Sequence, residues 1–411
     1  MKKLKFGLIG FGFRGSALLN DVFIPKCETD IEIAAVCDLY EDRCTSTADK
    51  VEKEVGYRPF CTTDYREVHA IESIDAVVIM TAWEAHIEIA VAAMKAGKDV
   101  AMEVGGAYSI EDCWTLVDTE EQTGKKCMLM ENCCYGDKEL MALRMERLGV
   151  LGTVVHCSGG YMHDLRYEVG NGEEMRHYRL RNYINRNCDN YPTHEIGPIA
   201  KLLNINNGNR FVSLTSTASC AKGMHEFIVE TKGADHKLAK VDFNQGDVIT
   251  TVIKCAGGET VTIVLDTTLP RAYSRGFTVR GTKGSYFEDT DMIFLKDEHG
   301  KYEWDCKEIW GNREQYYDKY RHPLWQNYDP RGGHGGMDWL VFTAFIECLQ
   351  KDIKPPIDVY DAALYMSITA LSEQSIALGS VPVMFPDFTR GRWYQRKDIV
   401  DWEYNLDKIN K

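Results

Sequence analysis

The stretch that decides the fold is Leu4-Lys5-Phe6-Gly7-Leu8-Ile9-Gly10-Phe11-Gly12-Phe13-Arg14-Gly15, an apolar run that leads into glycines with the spacing GxGxxG. This pattern predicts a strand, a tight turn and a helix. In such a unit the first glycine allows the turn, the second lets backbone N–H groups approach a pyrophosphate, and the third brings helix and strand together. The residues Gly10, Gly12, Phe13 and Arg14 are therefore candidate dinucleotide ligands.

A second β-rich run, at residues 31–37, ends at Asp38. The distance from the last glycine is close to the ~20 residues that separate this motif from the acid that binds a ribose 2′-hydroxyl. Because a carboxylate there repels a 2′-phosphate, the sequence favours NAD(H) over NADP(H). A glycine-rich hairpin is the alternative, and the strand before the motif and the helical pattern after it argue against that alternative.

Size and charge narrow the classes of protein. The chain has 411 residues, 44% of them hydrophobic and 27% charged, which is a globular composition long enough for two domains. The formal charge of −14 argues against a nucleic-acid groove, which needs clustered Lys and Arg. No apolar run approaches the roughly 18 residues of a membrane span.

The fourteen cysteines are scattered through periodic segments, with no CxxC pair and no zinc spacing. Reduced, mostly buried thiols are the expectation, and Cys37, Cys113, Cys127 and Cys255 occupy core-like positions. No metal ligands are assigned. The N-terminal Lys pair and apolar run resemble a short signal peptide, but the glycines and Arg14 interrupt the run and no small-residue cleavage site follows. The sequence therefore predicts a cytoplasmic protein.

From residue 1 to about 130, β-rich runs alternate with helical ones. Helices are predicted at 41–55, 83–96 and 110–122, and strands at 75–80, 98–102 and up to 130, with Ser109 as a helix cap. This alternation is typical of an α/β Rossmann domain with a doubly wound parallel sheet. We assign residues 1–131 to an NAD-binding domain and 132–411 to a substrate-binding α+β domain.

Polar and aromatic residues follow three successive strands of the predicted parallel sheet. Ligands bind at the carboxyl edge of such sheets, so these residues are expected to line one crevice. Ordinary helix caps and loop packing explain any one group alone. The groups are Thr81-Ala82-Trp83-Glu84-Ala85-His86, Glu103-Val104-Gly105-Gly106 and Glu131-Asn132-Cys133-Cys134-Tyr135-Gly136.

Beyond about residue 150 the pattern has period two, at 248–254, 260–266 and 277–281, with glycine turns between the runs. An open antiparallel sheet is the natural interpretation. Helices are predicted at 193–203, 336–349 and 359–378.

Three histidine- or tyrosine-bearing segments are candidates for chemistry. His194 falls in the first turn of a predicted helix, where the positive helix end disfavours imidazolium, although a structural histidine fits equally well. Tyr273 stands between Arg271 and Arg275, whose charges favour a phenolate, and a surface cation–π pair is the alternative. His334 lies in a glycine-rich loop that either closes over a substrate or simply turns the chain.

Several reaction classes lack their motifs. No nucleophile elbow, Ser-His-Asp pattern or Walker lysine is present, and an ordinary pair of glycosidase carboxylates cannot be singled out. The nicotinamide is therefore expected to carry the difficult step, while the protein supplies position and proton transfer.

The chain resembles a known family, glycoside hydrolase family 109, the NAD-dependent α-N-acetylgalactosaminidases, within the glucose-fructose oxidoreductase and inositol dehydrogenase superfamily. The resemblance runs nearly end to end. It rests on the strings Glu131-Asn132-Cys133-Cys134-Tyr135-Gly136, Tyr161-Met162-His163-Asp164-Leu165-Arg166, Tyr191-Pro192-Thr193-His194, Tyr273-Ser274-Arg275, His322-Pro323-Leu324-Trp325, Gly333-His334-Gly335-Gly336-Met337-Asp338 and Pro386-Asp387-Phe388-Thr389-Arg390-Gly391.

The resemblance also implies roles for individual residues. NAD contacts are implied for Phe13, Arg14, Asp38, Trp83, Glu84, Ala85, His86, Glu103, Val104, Asn132 and Arg179. Sugar contacts are implied for Tyr161, Tyr191, Pro192, Thr193, His194 and Tyr273, and His334 is added as a loop candidate. Of these, His194, Tyr191 and Tyr273 are the candidate catalytic residues.

The implied reaction removes a hydride from C3 of the sugar, which acidifies the C2 proton. Loss of that proton expels the aglycone from C1, water adds, and the hydride returns, so NAD is unchanged. Such glycosidases are an exception to the two-carboxylate scheme. The alternative is an NAD-dependent sugar dehydrogenase, and a non-catalytic NAD sensor is a third class. The preferred sugar, anomer and aglycone, the division of proton transfer and the formation of homo-oligomers stay open.

Three positions depart from the related families. The dehydrogenases usually carry Glu-Lys-Pro where this chain has Glu103-Val104-Gly105, and loss of that lysine argues against net alcohol oxidation. The hydrolases commonly have proline at the position of Gly105 and tryptophan at that of Tyr178. These two changes leave substrate identity open.

Overall fold

The structure is a computed structural model that describes residues 3–302, 304–396 and 402–409. The chain divides into two compact units. Within the described residues, the first unit comprises 3–135, 328–363 and 402–405, and the second holds the remainder. By packing, the chain thus returns to the first unit after residue 327. The functional division at residue 131 remains a proposal.

The first unit contains a sheet in which all strand pairs are parallel. Its strand order is β3-β2-β1-β4-β5-β6, which confirms the predicted doubly wound topology. Phe6 and Leu8 of the central strand are fully buried. The strands are β1 Leu4–Ile9, β2 Ile31–Cys37, β3 Phe60–Thr62, β4 Ala76–Ile79, β5 Asp99–Met102 and β6 Cys127–Leu129.

The second unit contains a sheet with the order β13-β12-β11-β7-β10-β9-β8-β14. Its pairs are antiparallel as predicted, with one exception: β7 and β10 run parallel, with Tyr161 opposite Leu265. Burial alternates along β9 and β10, so one face of the sheet forms a core. The strands are β7 Val154–Met162, β8 Phe211–Ala218, β9 Val248–Cys255, β10 Thr260–Asp266, β11 Thr278–Gly281, β12 Gly284–Phe287, β13 Met292–Leu295 and β14 Val383–Met384.

The helices match the predicted positions within a few residues. Ser109 caps α6 as expected, since its side chain accepts the N–H of Asp112 at 3.0 Å. In chain order the α-helices are α1 Phe13–Leu18, α2 Ile24–Lys26, α3 Glu41–Val55, α4 Tyr65–Ala70, α5 Trp83–Lys95, α6 Ile110–Thr123, α7 Asp137–Arg147, α8 Arg166–Gly170, α9 Arg179–Asn185, α10 Thr193–Leu202, α11 Gly223–Lys232, α12 Lys296–His299, α13 Arg313–Tyr320, α14 Pro323–Gln326, α15 Met337–Lys351 and α16 Val359–Ala377.

Helix α15 belongs to the first unit although it lies late in the chain. Phe342 packs its ring 5.9 Å from that of Phe6 on β1 and 4.6 Å from that of Phe23, measured between centroids. Phe345 lies 6.1 Å from Phe6 in the same core. These aromatic contacts fix the start of α15 against the nucleotide-binding unit, and Asp338 is in its first turn.

The cysteines depart from the expectation in one place. Cys37, Cys113, Cys127 and Cys255 are free and buried as predicted, but Cys44 and Cys61 form a disulfide. Helix α3 and strand β3 bring that pair together across 17 residues of sequence. Among the described residues, every helix is too short or too polar to cross a bilayer.

Candidate functional site

The glycine turn after β1 has the geometry that a dinucleotide requires. Gly10 has φ +99°, and a Cβ added there would lie 2.6 Å from the carbonyl carbon of Met80. A Cβ on Gly15 would lie 2.0 Å from the carbonyl oxygen of Gly10, so only glycine lets α1 approach the turn this closely. At Gly12 the nearest atom to an added Cβ is 3.8 Å away, on Arg43, which leaves the backbone accessible to a ligand.

Asp38 is held rigidly at the end of β2. Its Oδ2 accepts the N–H of Phe11 at 2.6 Å, and its Oδ1 accepts the N–H of Tyr40 at 2.9 Å. The residue is 5% exposed, so the carboxylate is fixed beside the glycine turn. This position is the one from which an acid selects a ribose diol over a 2′-phosphate.

The three groups of polar residues lie at one edge of the first sheet, because β4, β5 and β6 are adjacent and parallel. His86 is buried at the start of α5, with its Nε2 2.9 Å from the carbonyl oxygen of Thr81. Burial lowers the pKa of His86 to about 4, so this imidazole is neutral. A Cβ at Gly105 would lie 2.6 Å from Cδ1 of Trp83, and the glycine at this position therefore leaves space for the tryptophan ring.

Arg14, in the first turn of α1, connects two carboxylates of the first unit. Its Nη2 donates to Glu103 at 3.0 Å, and its Nη1 donates to Asp338 at 2.7 Å. His334 Nδ1 lies 2.8 Å from the same carboxylate, and Asn132 Nδ2 donates to it at 2.7 Å. Burial by itself raises the pKa of Asp338, but hydrogen bonds from Arg14 and His334 hold that pKa well below its usual range.

The first unit thus fits a bound dinucleotide on structural grounds. Gly10 has the left-handed backbone conformation that the turn requires, and no side chain of the described residues lies close to Gly12. The carboxylate of Asp38 is held in place by a backbone N–H of the turn. The helix after the turn begins at Phe13, whose side chain is 82% exposed. Free N–H groups at a helix start suit the pyrophosphate.

Tyrosine and histidine side chains form a second cluster, in the second unit. The ring of Tyr161 lies 4.5 Å from that of Tyr191 and 5.5 Å from that of His194. Tyr191 Oη is 3.3 Å from His194 Nε2, and Tyr161 Oη is 3.0 Å from His163 Nδ1. Tyr273 adds its ring 5.1 Å from that of His163, and its side chain is 53% exposed. We call these five residues the aromatic cluster.

Local structure explains how distant segments supply the cluster. Tyr161 is near the end of β7, and Tyr273 follows β10, the parallel neighbour of β7. A bridge between Met162 and Ser274 fixes the loop that carries Tyr273. Pro192 and Thr193, both buried, begin α10 and place His194 in its first turn.

The arginines on either side of Tyr273 are paired with carboxylates. Arg271 donates to Asp266 at 2.6 Å. Arg275 is 9% exposed and forms ion pairs with Glu139, Glu195 and Glu288. Their positive charge is therefore compensated locally, which weakens the sequence argument that these cations favour a phenolate at Tyr273.

Two of the predicted site residues belong to a different unit from most candidates for the same ligand. Arg179, implied to contact NAD, is in the second unit, where its Nε lies 2.7 Å from Glu168 and its Cζ 5.0 Å from the ring centre of Tyr191. His334, a candidate for the sugar, lies in the first unit beside Arg14 and Asp338.

The other predicted residues gather in two groups. The cofactor candidates of the first unit surround the glycine turn and the carboxyl edge of its sheet, and Tyr161, Tyr191, His194 and Tyr273 meet in the aromatic cluster. Sequence reasoning did not assign roles to Asp338 and His163. Both are in the quoted strings. Asp338 accepts a hydrogen bond from Arg14, which is 324 residues away along the chain, whereas His163 pairs with Tyr161, only 2 residues away.

Comparisons with known proteins match both parts of the chain to described families. Residues 4–131 match the family described as "Oxidoreductase family, NAD-binding Rossmann fold", and residues 135–395 match "Glycosyl hydrolase 109, C-terminal domain". The chain is 39% identical to an "Alpha-N-acetylgalactosaminidase" of Tannerella forsythia over 420 residues, which covers 96% of this chain and 88% of the relative. It is 38% identical to a "Glycosyl hydrolase family 109 protein" of Parabacteroides distasonis, covering 96% of this chain and 89% of the relative.

Among solved structures, the chain is similar to an inositol dehydrogenase homolog from Azotobacter vinelandii complexed with NAD+. The TM-score is 0.67 at 15% identity, with 93% of this chain and 98% of that chain covered. At that level of identity the likeness concerns the fold alone.

Proposed function

The chain belongs to glycosyl hydrolase family 109 and is an NAD-dependent glycosidase, and we propose that it hydrolyses α-N-acetylgalactosaminides or closely related glycosides. The substrate class is supported by the name of the Tannerella forsythia relative. The observation that carries the proposal is the aromatic cluster, which joins two tyrosines and two histidines through hydrogen-bond distances of 3.0 and 3.3 Å.

When bound, NAD would supply a reversible hydride acceptor for C3 of the sugar. The residues of the first unit that would hold it are the glycine turn, Asp38 and the strand ends after β4, β5 and β6. Because the hydride returns, the net reaction consumes only water.

We assign proton transfer to Tyr191 and His194. A ketone at C3 acidifies the C2 proton, and a base must remove that proton as the aglycone leaves C1. The 3.3 Å separation between Tyr191 Oη and His194 Nε2 allows one proton to pass between the two side chains. The same pair can return the proton to C2 after water has added at C1.

Tyr161 and Tyr273 are proposed to position the sugar or assist departure of the aglycone. Tyr161 lies against both Tyr191 and Tyr273, with ring centres 4.5 and 6.3 Å away. Pro192 and Thr193 are buried and therefore shape the floor of the cluster through the backbone at the start of α10.

The competing function is a sugar dehydrogenase that releases NADH. It is favoured by the fold, because the similar solved structure is an inositol dehydrogenase homolog. The missing lysine beside Glu103 argues against it. Incubation with NAD and a nitrophenyl α-N-acetylgalactosaminide separates the two: nitrophenol without stoichiometric NADH supports hydrolysis, and NADH without nitrophenol supports the dehydrogenase.

Two further measurements test the chemistry. Turnover in heavy water should place deuterium at C2 of the product sugar once the proton held by the pair has exchanged with solvent, and an unlabelled C2 together with the absence of a kinetic isotope effect from a C2-deuterated substrate would exclude elimination. His194→Ala should abolish turnover while NAD remains bound. His225→Ala, which removes an exposed histidine of the same unit, is the matched control and should keep full activity.

We propose a cytoplasmic location and a small-molecule glycoside as the only obligatory partner besides NAD. The buried, free thiols of the nucleotide-binding core favour a reducing compartment, whereas the Cys44–Cys61 disulfide favours an oxidising one. Fractionation of the producing cells with an activity assay decides the location, and sedimentation of the purified protein decides whether it self-associates.

A further inference from the structure

Asp338 is the point at which the candidate cofactor residues of the first unit converge. Its carboxylate accepts four hydrogen bonds from three side chains. Arg14 donates two, at 2.7 and 2.9 Å, Asn132 donates one at 2.7 Å, and His334 Nδ1 donates one at 2.8 Å. The carboxylate is 1% exposed. We propose that Asp338 is a positioning residue for NAD, which sets the arrangement of Arg14 and Asn132 that the cofactor binds.

The first step of the argument concerns Asn132. Its side-chain amide can point either its oxygen or its nitrogen at a neighbour. Because a carboxylate only accepts hydrogen bonds, Asp338 selects the orientation in which Nδ2 faces it. Asn132 is 2% exposed, so no water competes for that choice. The amide oxygen is thereby kept on the opposite side as an acceptor.

The second step concerns the charge of Arg14. The guanidinium is shared by Glu103 and Asp338, and two fixed carboxylates hold its planar fork in one orientation at the start of α1. Removal of Asp338 leaves Glu103, at 3.0 Å, as the carboxylate partner of Arg14 among the described residues. The arginine then gains rotational freedom at the point where the dinucleotide enters.

The third step explains why a glycine-rich loop precedes α15. Gly335 and Gly336 have φ +64° and +104°, which turns the chain so that Asp338 points toward Arg14. A Cβ on Gly333 would lie 2.5 Å from Asp338 Oδ2, so that position must remain glycine for the carboxylate to fit. The loop is therefore shaped around the carboxylate, and its histidine contacts the same oxygen.

The test is NAD binding by Asp338→Asn. This variant keeps the size of the side chain but replaces one carboxylate oxygen with an NH2 group, which then faces the donors of Arg14 and Asn132. The stripped protein is titrated with NAD by calorimetry, and the dissociation rate of NAD is measured by exchange into cofactor-free buffer. We expect the Kd for NAD to rise about 10- to 100-fold, equivalent to about 1.4–2.8 kcal/mol, mostly through faster dissociation.

The matched control is Glu347→Gln, which makes the same change in charge at a buried carboxylate of the same helix that pairs with Lys351. It should bind NAD within about twofold of the wild type. Thermal unfolding of both variants without NAD shows the temperature below which each is folded, and NAD binding is compared there, because loss of a carboxylate whose pKa is held low in the fold should by itself lower the midpoint of Asp338→Asn.

Wild-type affinity and dissociation rate in a folded Asp338→Asn would overturn the proposal. Should that variant fail to fold, Asp338→Glu keeps the charge but moves the carboxylate by one methylene, and it should weaken NAD binding about 3- to 10-fold. Unchanged NAD binding in Asp338→Glu would then refute a positioning role. The inference rests on NAD binding by the first unit, and the assay contains no glycoside, so its outcome is independent of the substrate proposed above.

Discussion

Replacement of Asp189 by Asn should stabilise the second unit increasingly as the pH rises. Asp189 is 2% exposed, two residues before Tyr191, whose backbone N–H donates to its carboxyl group. Burial raises the pKa of Asp189 from 3.8 to about 7. The carboxyl group is thus protonated in the folded protein at a pH at which it is ionised in the unfolded chain.

The sign follows from proton binding. Between pH 3.8 and about 7 the native state holds a proton that the unfolded state has lost, so the stability falls as the pH rises through this window. A shift of about 3 pKa units corresponds to about 4 kcal/mol at pH 8, of which about 1 to 2 kcal/mol is already present at pH 5. The Asn variant has no such group. Its advantage over the wild type should therefore grow by about 2 to 3 kcal/mol between pH 5 and pH 8.

The assay is thermal unfolding of the wild type and Asp189→Asn across pH 4.5–8.5. At about 2 °C per kcal/mol for a unit of this size, the difference in unfolding midpoint should widen by about 4–6 °C from pH 5 to pH 8. Asp242→Asn, at an exposed position of the same unit, is the control for the loss of a charge. A midpoint difference that is flat with pH would refute the assignment of a protonated Asp189.

Three further predictions concern the two sites. Gly15→Ala places a Cβ 2.0 Å from the carbonyl oxygen of Gly10 and should cost at least about 2 kcal/mol with loss of NAD affinity, whereas Gly300→Ala, where an added Cβ meets nothing within 4 Å, should change neither in calorimetry. Asp38→Ser removes the carboxylate that accepts two backbone N–H groups, and it should weaken NAD binding about 10-fold or more. The ratio of the affinity for NAD to that for NADP should fall as well, which competitive titration measures. Arg179→Lys removes the planar guanidinium that contacts Tyr191 and Glu168, so the KM for the glycoside should rise several-fold while the Kd for NAD stays unchanged. A changed Kd for NAD would instead support the cofactor contact that the family resemblance implies.

Much of the fold was accessible from local pattern. The glycine spacing and Asp38 predicted the turn, and the alternation of runs predicted strands β1, β2, β4, β5 and β6 but not the short edge strand β3, because the longer elements are encoded by neighbouring residues. The candidate residues of the aromatic cluster came from family strings, and local reasoning alone left His194 and Tyr273 open. The argument from charge at Tyr273 is weakened because a linear sequence does not show that Asp266 pairs with Arg271, or that Glu139 and Glu288 pair with Arg275.

By itself, the sequence determined the nucleotide-binding turn and the parallel sheet around it, since these depend on short-range spacing and side-chain periodicity, and its long strings carried the resemblance to the family. Only the tertiary structure decided that β7 and β10 run parallel, that Cys44 meets Cys61, and that Asp338 joins Arg14 across 324 residues. Such pairings depend on how buried faces pack after the elements form. The residues around Asp338 in the sequence do not indicate that its carboxylate will pair with Arg14.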